Sequence, residues 1–90
     1  MPDADYLAIL RSPADFGLAI QQARMTQGLT QAELAAELGI SQSAISEIES
    51  GKSTIYLRRF LSLARATGIE LSASWSEPTE TEEQPHASRS

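Results

Sequence analysis

The chain has 90 residues, 41% of them hydrophobic, with a formal net charge of −5 and no cysteine. That suits one small core rather than two, and the lack of thiols excludes disulfides, a cysteine nucleophile and cysteine-based zinc sites. The sole histidine, His86, stands near the C-terminus, and no converging ligand set or paired acid and base can be assembled from the other residues, so no enzymatic activity, metal or cofactor is expected.

The opening "MPDADYLAIL" is acidic ahead of a short apolar run. A signal peptide begins basic, and a membrane span needs about twenty apolar residues, so the expected setting is the cytoplasm, without a membrane partner. Residues 1–12 read as an N-terminal arm in which Tyr6 to Leu10, "YLAIL", is either a short strand or a helical turn.

Four helices follow, each closed by a glycine: Gly28, Gly39, Gly51 and Gly68 come just after stretches with helical apolar spacing, where a left-handed residue is wanted. The starts agree with the stops. "SPAD" sets Ser12 as N-cap with Pro13 at the first helical position and Asp15 at the third, "TQAE" gives Thr30 and Glu33 as a capping box, and Ser41 and Thr54 cap the remaining two. The inward stripes are Phe16, Ile20 and Ala23; Leu34, Ala35 and Leu38; Ile45 and Ile48; and Leu57, Phe60, Leu61 and Ala64.

After Gly68 the period falls to two. In "IELSASW", Ile69, Leu71, Ala73 and Trp75 point one way and Glu70, Ser72 and Ser74 the other, which predicts a half-buried strand over 69–75. No second strand pattern of equal quality is evident, so its first-choice partner is the same strand of another copy, antiparallel across a two-fold axis, with Tyr6 to Leu10 as the alternative. The folded domain then covers 13–75. Residues 76–90, rich in Glu, Pro, Thr and Ser, read as an acidic, solvated tail. Between Asp15 and Gly68 the five acids are balanced by five bases, so the negative charge lies outside the helical region.

The stretch "TQAELAAELGISQSAISEIESGK" joins two helices by "LGIS", and such a short turn lets helices cross steeply only if their backbones come close. Counting from Gln31, small Ala35 is fifth and Gly39 ninth, with Ile45 fifteenth and Ile48 eighteenth, as that crossing requires. The second helix presents Ser41, Gln42, Ser43, Ser46 and Glu47 outward. Glutamine can contact adenine in a bidentate manner and glutamate can accept from the cytosine amino group, so Gln42 and Glu47 would be the base readers if this helix meets DNA, as the family resemblance given next implies. Gln31 stands at a helix start, where backbone N–H groups and the helix dipole favour an anion, and the same resemblance implies a phosphate contact there that Lys52 and Arg58 could share. Arg59 and Arg65 belong to a solvated or partner-facing surface.

These residues resemble the Cro/repressor (XRE-type) helix-turn-helix family over about Pro13 to Gly68, with Gln31 to Leu38 as the first motif helix and Gln42 to Ser50 as the recognition helix. The resemblance implies a mainly α, four- or five-helix repressor-like domain bound to double-stranded operator DNA, each half of a dimer reading a half-site about 34 Å from the other. It also implies a structural ion pair between Arg24 and Glu49. Over "YLAILRSPADFGLAIQQARMTQGLTQAELA" and "ISEIESGKSTIYLRRFLSLARATGIELSASW" the chain looks like the HipB-type antitoxins. That likeness implies a bacterial or archaeal autorepressor of a toxin-antitoxin system. It would be a homodimer held by an intersubunit sheet of Ile69, Leu71, Ala73 and Trp75, nucleoid-associated when bound to its operator, and it would neutralise a HipA-type kinase toxin. A stand-alone repressor, or an interaction module that does not bind DNA, is the alternative. The chain departs from that subfamily at its end, "QPHASRS", where no terminal tryptophan stands.

Overall fold

The computed structural model describes residues 5–78, which form β1 (Tyr6–Ile9), α1 (Pro13–Thr26), α2 (Gln31–Leu38), α3 (Gln42–Glu49), α4 (Ile55–Ala66) and β2 (Ser72–Trp75). The local signals hold. Ser12 Oγ accepts from the Asp15 N–H while Asp15 accepts from the Ser12 N–H, both at 3.2 Å. Thr30 and Glu33 make the same reciprocal pair at 3.0 and 2.8 Å, and Ser41 and Thr54 cap α3 and α4. All four of the glycines expected to stop helices have positive φ.

The strand expected over 69–75 begins three residues late. The Ile69 N–H closes the end of α4 by donating to the Ala64 carbonyl at 2.8 Å, so it is unavailable to a sheet. β2 pairs antiparallel with β1, Tyr6 opposite Trp75 and Ile9 opposite Ser72, and the Leu10 N–H donates to the Leu71 carbonyl just beyond. The in-chain alternative, "YLAIL", thus fills one edge of β2, while the opposite edge, where the first-choice partner from another copy would pair, meets no described residue. The reason is side-chain complementarity at one end of the ladder. The Tyr6 and Trp75 rings stack with centroids 5.5 Å apart, and Trp75 Nε1 donates to Thr26 Oγ1 at 3.3 Å, fastening the sheet to the end of α1.

The buried core consists of Leu10, Ala19, Ala35, Ile45, Leu61 and Ala64. Four residues expected inside are not: Ile20, Leu38, Ile48 and Phe60 are 40%, 59%, 44% and 52% exposed. Ile20 and Ile48 line an open groove with Pro13, Phe16 and Leu57. Phe60 lies with Tyr56 and Leu63 on a side of α4 that no described residue covers, and Leu38 lies in the exposed last turn of α2. Periodicity identifies the apolar face of a helix correctly, but it does not tell whether anything is laid over that face.

Candidate nucleic-acid interface

α3 is seated by two kinds of contact. Ile45 and Ala35 are both buried, and α3 packs against α2. Gly17 of α1 faces the C-terminal end of α3 so closely that a Cβ there would stand 2.3 Å from the Ile48 carbonyl oxygen and 2.7 Å from that of Glu49. Sequence reading passed over Gly17, although a glycine inside a helix costs about 1 kcal/mol and usually marks a close approach.

The implied pair of Arg24 and Glu49 is present. Arg24 Nε and Nη2 donate to the two Glu49 carboxylate oxygens at 2.6 and 3.0 Å, and Nη1 donates to the Leu29 carbonyl at 2.8 Å. Only 3% of the Glu49 side chain is exposed. Its carboxyl is held below the usual carboxylate range chiefly by the Arg24 hydrogen bond, against burial and with help from Gln31 and Gln21. The Arg24 guanidinium is shifted upward by the same bond. Gln21 is a second residue missed from the sequence, because a polar glutamine on α1 carries no signal of its distant partner.

From Glu49 a chain of side chains runs outward. Gln31 Nε2 donates to Glu49 Oε1 at 2.9 Å, and Gln42 Nε2 donates to Gln31 Oε1 at 3.4 Å. Gln31 therefore has a structural partner on each side, beyond its expected place at the N-terminus of α2. Gln42, Ser43, Ser46 and Glu47 are all exposed along α3. Ser41 is exposed as well, with its hydroxyl oxygen engaged in capping α3.

Lys52 Nζ stands 3.8 Å from Glu47 Oε2, and both side chains are largely in solvent, so the pair is weak and free to rearrange. Arg58 Nη1 donates to Ser53 Oγ at 2.9 Å and more loosely to the Ser53 carbonyl, which places it at the α3–α4 connection beside Lys52. The residues expected to dimerise lie elsewhere: Ile69 is exposed between α4 and β2, and Leu71, Ala73 and Trp75 are half-buried in the in-chain sheet or next to it. Among the described residues no helix is long and apolar enough to cross a membrane.

Two curated relatives share this region. The chain is 34% identical over 67 residues to Multiprotein-bridging factor 1 of Candida albicans, covering 74% of this chain and 44% of that protein. It is 33% identical over 69 residues to the Endothelial differentiation-related factor 1 homolog of Danio rerio, covering 77% of this chain and 47% of that one. The chain thus spans less than half the length of either relative, and neither is named as an antitoxin. No solved structure matches it. Residues 20–73, from the middle of α1 through the connection of α2 to α3 and into β2, match the helix-turn-helix family, and the chain belongs to that family.

Proposed function

We propose that the chain is a sequence-specific DNA-binding regulator of transcription that lays α3 in the major groove. The observation carrying this is the division of α3 into an anchored side, with Ile45 buried and Glu49 tied to α1, and an outer side where Gln42, Ser43, Ser46 and Glu47 are exposed together. Gln42, near the helix start, suits adenine, and Glu47 suits the cytosine amino group, each good contact discriminating by about 1–3 kcal/mol. Ser43 and Ser46 accept either base. Gln31 and Ser41 at helix starts, with Lys52 and Arg58 beyond α3, supply phosphate contacts that set the register. Selection of the protein's preferred sites from randomised 20-base-pair duplexes tests this reading: wild type should enrich a motif, and Gln42→Ala should lose preference at one position per half-site. No enriched motif with wild type would count against it.

A single short recognition helix reads few base pairs, which favours a two-fold dimer on a palindromic operator. The edge of β2 opposite β1 pairs with no described residue, so β2 alongside its copy would give a four-stranded sheet through Ile69, Leu71, Ala73 and Trp75. A dimer spanning its own promoter would act as an autorepressor. Sedimentation of the protein with and without DNA tests the dimer; a monomer under both conditions would remove it.

The α4 side formed by Tyr56, Phe60 and Leu63 supports a second reading, in which the domain joins other proteins, as the name of the Candida albicans relative says of that protein. The narrower role, antitoxin to a HipA-type kinase toxin, rests on sequence resemblance alone. It predicts a kinase-like reading frame beside the gene, whose product the purified protein inhibits.

A further inference from the structure

We infer that Ser53 is a positioning residue that holds the Arg58 guanidinium with its two-pronged edge turned out to a DNA phosphate. The inference rests on the proposed reading of Arg58 as a phosphate contact and adds what aims it.

Ser53 stands in a turn that is pinned on both sides. Before it, Gly51 has a φ of +92° and lies so near α1 that a Cβ would stand 3.1 Å from Ala14 Cα, and the Lys52 N–H donates to the Glu47 carbonyl at 3.0 Å. After it, Thr54 caps α4 by accepting from the Leu57 N–H at 3.2 Å. Ser53 is half-buried between these anchors, whereas Arg58 is exposed. A long side chain that must be ordered only when its ligand arrives loses affinity to that ordering, so a fixed acceptor within reach changes what Arg58 can do.

The guanidinium is a rigid plane carrying five N–H groups. Arg58 reaches back five residues, and its Nη1 donates to Ser53 Oγ at 2.9 Å and to the Ser53 carbonyl at 3.4 Å. Two acceptors of one residue thus engage the same nitrogen. Among the described residues Nε and Nη2 meet no acceptor. These two share the edge whose parallel N–H bonds fit two oxygens of one phosphate. Lys52, the neighbouring cation, has only Glu47 at 3.8 Å with both side chains largely in solvent, and supplies charge without direction. Ser53 therefore orders Arg58 before DNA arrives, without touching phosphate itself. Phosphate contacts carry no sequence information, so the effect falls on affinity for every duplex alike, and the number of neutralised phosphates stays the same.

The test measures binding of a random-sequence 20-base-pair duplex, and of a duplex enriched by wild type, across a salt series. The proteins are wild type, Ser53→Ala, Ser53→Thr, Arg58→Ala and Ser53→Ala combined with Arg58→Ala, with a melting curve for each. Ser53→Ala should weaken binding of both duplexes about threefold to tenfold per protomer and leave the salt slope as in wild type, while Ser53→Thr, which keeps the hydroxyl, should bind as wild type does. Arg58→Ala should lower the slope by about 0.9, the share of one phosphate. Once Arg58 is alanine, the serine change should have no further effect. Equal weakening in both backgrounds would overturn the inference, since it marks a hydroxyl that bonds phosphate itself or a turn that has loosened. So would a folded Ser53→Ala protein with unchanged affinity. If Arg58→Ala leaves affinity and slope intact, the phosphate assignment fails instead, and the aiming role with it.

Discussion

Arg24 grips Glu49 with two guanidinium nitrogens, one on each carboxylate oxygen, and so ties the last turn of the recognition helix to α1, 25 residues away in sequence. Removing the arginine would leave a nearly buried carboxylate with only amide partners. Arg24→Ala should therefore destabilise the domain by about 3 kcal/mol, read as a lower urea midpoint. Arg24→Lys should recover only part of this, because an ammonium lacks the planar fork. A loss below 0.5 kcal/mol for Arg24→Ala, on the order of an exposed surface pair, would show the contact to be incidental.

The same pair sets an acid limb. Because the folded state depresses the Glu49 carboxyl, its contribution is complete above the ordinary glutamate value of about 4.3 and is lost as pH falls through the lower folded value, where the unfolded chain already binds the extra proton. Stability plotted against pH should fall below that point, and Glu49→Gln should fall less steeply there. Equal slopes for the two proteins would contradict the assignment.

Gly17 gives a steric prediction. A methyl group cannot fit 2.3 Å from the Ile48 carbonyl oxygen, and all three atoms within 3 Å, that oxygen and the carbonyl oxygen and carbon of Glu49, are backbone atoms that cannot swing aside. Gly17→Ala should destabilise by about 1–3 kcal/mol or more despite alanine's better helix propensity, and DNA affinity should drop with it as α3 is displaced. A raised melting temperature would mean that α1 and α3 are not packed this closely.

At the sheet, the shared aromatic face matters more than the hydroxyl. Tyr6→Phe removes an exposed hydrogen bond of 2.5 Å to Glu77 but keeps the stack, so it should change stability by less than about 0.5 kcal/mol. Trp75→Ala removes the stack and the Thr26 contact together and should cost at least 1–2 kcal/mol, on the order of an aromatic pair plus its burial. Equilibrium unfolding of the two variants distinguishes these cases; similar losses for both would assign the stability to the hydroxyl.

These contrasts show which interactions were legible in the sequence. Ser12 with Asp15 and Thr30 with Glu33 act across three residues, so their caps can be read directly, and the positive-φ glycines announce themselves in the same way. β1 could not be chosen with certainty, because four residues, "YLAI", carry too little pattern and their partner lies more than sixty positions away. The outward residues of α3 follow from helical spacing once the crossing with α2 is recognised. The bond from Gln31 to Glu49 does not, since it depends on where the end of α3 comes to rest against α1 and α2. Ile48 and Phe60 failed as core residues for a related reason: helical phase places them beside the core, but among the described residues no element closes over them.

The most direct measurement is selection of randomised duplexes by the purified protein, repeated with Gln42→Ala. If α3 reads the major groove, wild type should enrich a defined, two-fold related motif, and the variant should lose preference at the symmetry-related positions while still folding. Absence of any enriched motif from a folded wild-type protein would contradict sequence-specific DNA binding and turn the search toward a protein partner.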